Sequence, residues 1–161
     1  MTEKTLVTQP PSGWLRFALR LPLVLYRLRL GWLLGGRFLR LYHVGRKSGQ
    51  VRQTVVEVVH HERTGDTYYI VSGWGYKAQW YQNLMVMPDV VIQVGSRRMA
   101  IRAETLPPER GADILIKYRT QHPMAAAELS RIMGIDMART SPTSLIDIVR
   151  ESLPVLALRP R

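Results

Sequence analysis

The chain has 161 residues, 46% hydrophobic and 22% charged, with four Trp and seven Tyr, which excludes a disordered polymer and suits one domain burying roughly two-thirds of its unfolded surface. It has no Cys, which excludes disulfides, thiolate zinc sites, iron-sulfur clusters and cysteine nucleophiles, and leaves a reducing cytoplasmic setting as the default. The net charge is +11, and residues 1 to 52 hold ten Lys and Arg against the single acid Glu3, so the N-terminal third favours an anionic partner: nucleic acid, a lipid surface, or a phosphorylated or carboxylated small molecule.

Met1 to Ser12 is polar and Pro-containing and reads as an extended lead-in. From Trp14 to Tyr42 the sequence becomes apolar and Arg-rich, yet its longest uncharged runs, Leu21 to Tyr26 and Leu30 to Gly36, are six and seven residues, against the ~20 a membrane-spanning helix needs. A signal peptide would place its charges before its apolar stretch and follow it with a cleavage site. At helical spacing Arg16, Arg20 and Arg27 form a basic stripe, with Trp14, Leu21, Leu25, Leu28 and Trp32 opposite. An amphipathic helix is expected, interrupted at Pro22 and ended by Gly35-Gly36, that packs on its own domain or lies in the lipid headgroup layer.

Beyond Phe38 the period changes to two. Phe38 to Val44, Val51 to His61, Thr67 to Ser72, Val90 to Val94 and Met99 to Leu106 are rich in β-branched and aromatic residues, which predicts an antiparallel sheet curled into a barrel. Arg63 to Asp66 and Gly95 to Arg98 read as hairpin turns, and Lys77 to Met87 as a short helix stopped by Pro88. Helices are predicted from Pro107 to about Gln121, Pro123 to Met133 and Ser141 to about Ser152, with Leu153 to Leu158 as a last strand. The division expected is a basic helical segment over 1–36 and a cofactor-binding barrel over 37–161.

Two segments could carry chemistry. Gly45-Arg46-Lys47-Ser48-Gly49-Gln50-Val51-Arg52 sits between two strands. Its glycines let N–H groups converge, and Arg46, Lys47, Ser48 and Arg52 surround that point with donors, as in an anion-cradling turn. An ordinary basic hairpin would look the same locally. The second is Ser72-Gly73-Trp74-Gly75-Tyr76, followed by Trp80 and Asn83, where backbone can approach a ligand and Trp and Asn offer a flat surface and paired polar groups to a planar heterocycle. Packing under the sheet is the alternative for Trp80 and Leu84, which stand four apart. The four His lack metal-ligand spacing, so no metal site is expected, and no Gly-x-Ser-x-Gly elbow is present.

Taken together, Gly45-Arg46-Lys47-Ser48-Gly49, Ser72-Gly73-Trp74-Gly75 and Trp80-Tyr81-Gln82-Asn83-Leu84 through Pro88 resemble the deazaflavin-dependent nitroreductase family. The resemblance implies a mainly β fold with flanking helices (α+β), an antiparallel, flavin-reductase-like split β-barrel that binds the deazaflavin coenzyme F-420. It implies that Arg46, Lys47, Ser48, Gly49 and Arg52 hold the coenzyme's phosphate and acidic tail. Ser72, Gly73, Trp74, Gly75, Tyr76, Trp80 and Asn83 would line the deazaflavin, the two sets forming one groove. Ala78-Gln79 precede Trp80 where members usually have Pro. Tyr118 and His122, one turn apart on a predicted helix, are the substrate-side candidates.

The expected function is that of an oxidoreductase moving a hydride from reduced coenzyme F-420 to a quinone, with nitroaromatics reduced adventitiously, in the cytoplasm and peripherally at the inner membrane face through residues 14–42. The same barrel could hold flavin mononucleotide (FMN). Alternatives from other classes are a non-enzymatic nucleic-acid-binding protein and a peripheral membrane module. Whether the basic helix meets lipid, a second subunit of a homodimer or its own barrel is open.

Overall fold

In a computed structural model the structure describes residues 36–161. The helix expected within residues 14 to 35 lies outside the described residues. Six strands, β1 (Phe38–Val44), β2 (Val51–Glu62), β3 (Thr67–Val71), β4 (Asp89–Val94), β5 (Arg97–Thr105) and β6 (Val155–Pro160), close into a barrel in the order β1-β2-β3-β6-β5-β4. Every pairing is antiparallel. A 3-10 turn (Gly75–Lys77) and helix α1 (Gln79–Val86) bridge β3 and β4, while α2 (Pro108–Gln121), α3 (Pro123–Met133) and α4 (Pro142–Ser152) lie between β5 and β6.

Alternation along the strands produces two cores. Inside the barrel, Leu39, Leu41, Ile70, Ile92, Ile101, Leu156 and Leu158 meet, and Trp80, Tyr81 and Leu84 of α1 join them. On the outer side, Tyr69, Val71, Val155 and Ala157 pack against Leu115, Met133, Leu145 and Val149 of the three C-terminal helices. Strand β3 is therefore buried along its whole length, and β6 over its first four residues, so β3 departs from the period of two expected for Thr67 to Ser72 because both of its faces meet a core. The β2–β3 register shifts between Val58 and His60. Val58 and Val59 serve different cores by ordinary alternation, and the extra residue brings His60 opposite Tyr69 of the outer core.

The helix starts follow local chemistry. Pro occupies the first turn of α2, α3 and α4, Ser141 caps α4 by accepting the Ser144 N–H at 3.1 Å, and Gly134 ends α3 in the left-handed region at φ 69°. The β4–β5 hairpin is tighter than expected. Gly95 takes φ 57° and Arg97 and Arg98 pair as strand residues with Val94 and Gln93, because a positive-φ Gly at a two-residue turn matches the strand twist.

Candidate active site

The β1–β2 connection is a compact loop. Gly45 N–H donates to the Gln50 carbonyl at 2.8 Å, Gly49 N–H donates to the Gly45 carbonyl at 2.7 Å, and Ser48 Oγ accepts from Gln50 N–H at 3.3 Å. A Cβ on residue 45 would stand 2.5 Å from Ser48 Oγ and 3.3 Å from Arg52 Nε, so a side chain there would push apart the two groups the loop gathers.

Arg46 ties this loop to α1. Its backbone N–H and its Nη1 donate to Asn83 Oδ1 at 3.1 and 3.0 Å, Nη1 also reaches Gln79 Oε1 at 3.0 Å, and Nη2 donates to Gln82 Oε1. Positions 79, 82 and 83 share one helical face, so the Gln-x-x-Gln-Asn spacing forms a cradle for one guanidinium. All three acceptors are neutral, so the cation is held without being neutralised. Asn83, 3% exposed, turns its Nδ2 to His43 Nδ1 at 3.0 Å.

Beside this junction opens a groove of about 680 Å³ lined by Arg40, His43, Val51, Arg52, Gln53, Thr54, Gln79 and Trp80. That volume lies within the range of small-molecule and cofactor sites. Two arginines and no acid stand among its described lining residues, so the groove is electropositive. Arg40 is buried at 8% exposure and donates to Gln53 Oε1. Burial and the neighbouring Arg52 guanidinium hold His43 below the usual histidine range, because both disfavour an imidazolium.

The structure thus brings together four of the residues singled out from sequence: Arg52 and Trp80 line the groove, and Arg46 and Asn83 form the junction beside it. Lys47, Ser48 and Gly49 are exposed at the tip of the loop. The Ser72 to Tyr76 loop goes elsewhere. Ser72 is fully buried and donates to the Gly75 carbonyl at 2.7 Å, and Tyr76 Oη reaches the Val149 and Arg150 carbonyls of α4. Gly73, Trp74, Gly75 and Tyr76 line a separate cavity of about 110 Å³ with Met133, Ile135 and Leu153.

Tyr118 and His122 do not line the groove. Tyr118 is 2% exposed and donates to Glu57, and its ring lies 5.9 Å from that of His122. Burial raises the Glu57 carboxyl above its ordinary range, and burial together with the Glu57 contact raises the Tyr118 phenol. Sequence reasoning had not singled out Arg40, His43, Gln53, Thr54 or Gln79. The available signal was the polar run Arg52-Gln53-Thr54 opening a strand that continues Val55-Val56, directly opposite Tyr42 and His43.

Comparison with known proteins adds to this geometry. The family model described as F420H(2)-dependent quinone reductase matches residues 26–136. A curated relative, an F420H(2)-dependent quinone reductase of Mycobacterium tuberculosis, is 37% identical over 73 residues, which is 44% of this chain and 47% of the relative. The chain thus aligns with about half the length of that relative. Among solved structures, an F420-H2 dependent reductase (FDR-A) superposes with a TM-score of 0.51 at 20% identity, over 76% of this chain and 94% of that one. A domain-swapped dimer superposes with a TM-score of 0.54 at 21% identity, over 91% and 97%. These two likenesses establish the shared barrel fold.

Proposed function

The chain belongs to the F420H(2)-dependent quinone reductase family, and from that premise we propose that its groove binds reduced coenzyme F-420 and that the protein is an oxidoreductase acting on a quinone. The observation that carries this reading is the groove itself: about 680 Å³, walled by Trp80, entered by Arg40 and Arg52, and without an acid among its described lining residues. An acid-tailed, planar molecule needs a positively charged wall and an apolar wall beside it.

When bound, the reduced coenzyme supplies the hydride. The residues here bind and orient. Arg52 and the exposed Lys47 and Ser48 receive the anionic tail, Trp80 bears on the ring system, and Arg46 holds the loop against α1 so that both walls keep a fixed spacing. The Ser72 to Tyr76 loop supports α1 from behind through the edge-on contact of Tyr76 with Tyr81, centroids 5.5 Å apart. Of the segment 14–42, residues 38–42 belong to β1 of the barrel, and the basic residues before it, Arg16, Arg20, Arg27 and Arg29, bring the barrel to an anionic lipid surface on the cytoplasmic side, where a lipid-soluble quinone is available. No helix among the described residues is long and apolar enough to cross a membrane.

Fluorescence titration of the full chain with coenzyme F-420 tests the reading. Arg52→Ala combined with Lys47→Ala is expected to weaken binding tenfold or more, each charged hydrogen bond contributing ~1.5–3 kcal/mol, and added salt is expected to weaken the parent's binding. Unchanged affinity in the double variant removes the anionic-tail assignment. Tight binding of FMN without binding of coenzyme F-420 transfers the groove to a flavin.

A further inference from the structure

The loop–helix junction also touches a groove histidine, His43, through Asn83. Asn83 Oδ1 accepts two hydrogen bonds from Arg46, one from the backbone N–H and one from Nη1, at 3.1 and 3.0 Å. Both donors are obligatory, since a backbone amide and a guanidinium have no acceptor state. The amide orientation of Asn83 is therefore fixed, and the group facing His43 Nδ1 at 3.0 Å is its NH2. An NH2 only donates, so Nδ1 carries a lone pair and the ring proton of a neutral imidazole is on Nε2.

Nε2 is the atom left to meet a ligand. It has no partner among the described residues, and it is not among their buried, unsatisfied side-chain atoms, although His43 as a whole is only 4% exposed. Its ring lines the groove. His43 and Arg52 are directly paired across β1 and β2, which places the two side chains on one face of the sheet. Among the described residues the charged groups around the imidazole are Arg52 across the strand pair, Arg46 behind Asn83 and Arg40 in the same groove, whose described lining holds no acid. Such surroundings oppose a second proton on the ring.

We propose that His43 is a ligand-binding residue, a neutral imidazole whose Nε2–H donates, beside Arg52, to an acceptor oxygen of the molecule in the groove, and that Arg46 sets this tautomer through Asn83. The placement of the proton stands on the hydrogen-bond geometry alone; the identity of the ligand rests on the function proposed above. Arg46 thereby has a part distinct from that of a cofactor clamp: it positions the proton of a residue it does not touch.

The first test needs no ligand. In the full chain labelled with nitrogen-15, the His43 imidazole, assigned by its loss in His43→Gln, is expected to show the Nε2–H tautomer at pH 7.5. Asn83→Asp keeps an acceptor for Arg46 but presents a carboxylate oxygen to Nδ1, so the spectrum is expected to change to an Nδ1-protonated ring. A wild-type ring that is cationic or protonated on Nδ1 overturns the relay, as does an unchanged tautomer in the folded Asn83→Asp protein. The second test uses coenzyme F-420. His43→Phe is expected to weaken binding tenfold or more, whereas His43→Gln, whose amide nitrogen reaches the Nε2 position, is expected to stay within threefold of wild type. Equal affinity of wild type and His43→Phe overturns the ligand contact. Absence of coenzyme binding to wild type itself would overturn the functional reading, while the imidazole spectrum would still decide the relay.

Discussion

Asn83→Leu is expected to lower the unfolding free energy by about 2–4 kcal/mol, the range for breaking a buried polar junction and leaving its partners unmatched. Leu keeps the branched heavy-atom skeleton of Asn and is bulkier, so no cavity is created and the loss comes from the unmatched polar groups together with some overpacking. Asn83 is the common partner of the Arg46 backbone N–H, the Arg46 guanidinium and His43 Nδ1. Leu leaves the backbone N–H without its acceptor and the imidazole without its donor. Gln79 and Gln82 still hold the guanidinium, which keeps the cost below that of a wholly orphaned charge. Urea unfolding should show a lower midpoint with an unchanged slope. A loss under about 0.5 kcal/mol, the ordinary surface range, would mean that the junction does not hold the loop to α1.

Gly75→Ala is the second large effect, expected at about 2–4 kcal/mol from backbone strain together with a steric clash. Gly75 sits at φ 68°, and a Cβ there would stand 2.6 Å from the Ser152 carbonyl oxygen at the end of α4. That neighbour is backbone held between α4 and β6, so it cannot rotate away as a side chain would. Gly49 provides the control. Its φ is 67°, yet nothing lies within 4 Å of the added Cβ, so Gly49→Ala should carry the strain without the clash, about 1 kcal/mol. Equal losses at the two positions would show that the Gly75 approach to Ser152 contributes nothing.

Much of the fold was legible because its signals are local. Strand alternation from Phe38 onward, the prolines opening the three C-terminal helices and Gly134 closing one of them all act within a few residues, and the elements fall close to the predicted bounds. The β2 bulge was not legible, since Val58-Val59-His60 carries no residue that demands a shift in pairing. The site divides in the same way. Arg46 and Asn83 stood out for their chemistry, but their hydrogen bonds to each other span 37 residues, and no local pattern distinguishes two ligand-facing groups from two groups that face one another. His43 was passed over because a single histidine in a strand has no spacing to mark it. The Ser72 to Tyr76 loop has the glycines of a ligand loop, yet Gly75 and Tyr76 use that freedom to meet α4.

Binding of coenzyme F-420 to the purified full chain, with Arg52→Ala and Trp80→Leu measured alongside, tests the central claim most directly. The account predicts one saturable site per chain whose affinity falls tenfold or more in Arg52→Ala and which is also weakened in Trp80→Leu provided that variant remains folded. Saturable binding that neither substitution alters would contradict it, as would a wild-type protein that takes up no coenzyme at any attainable concentration.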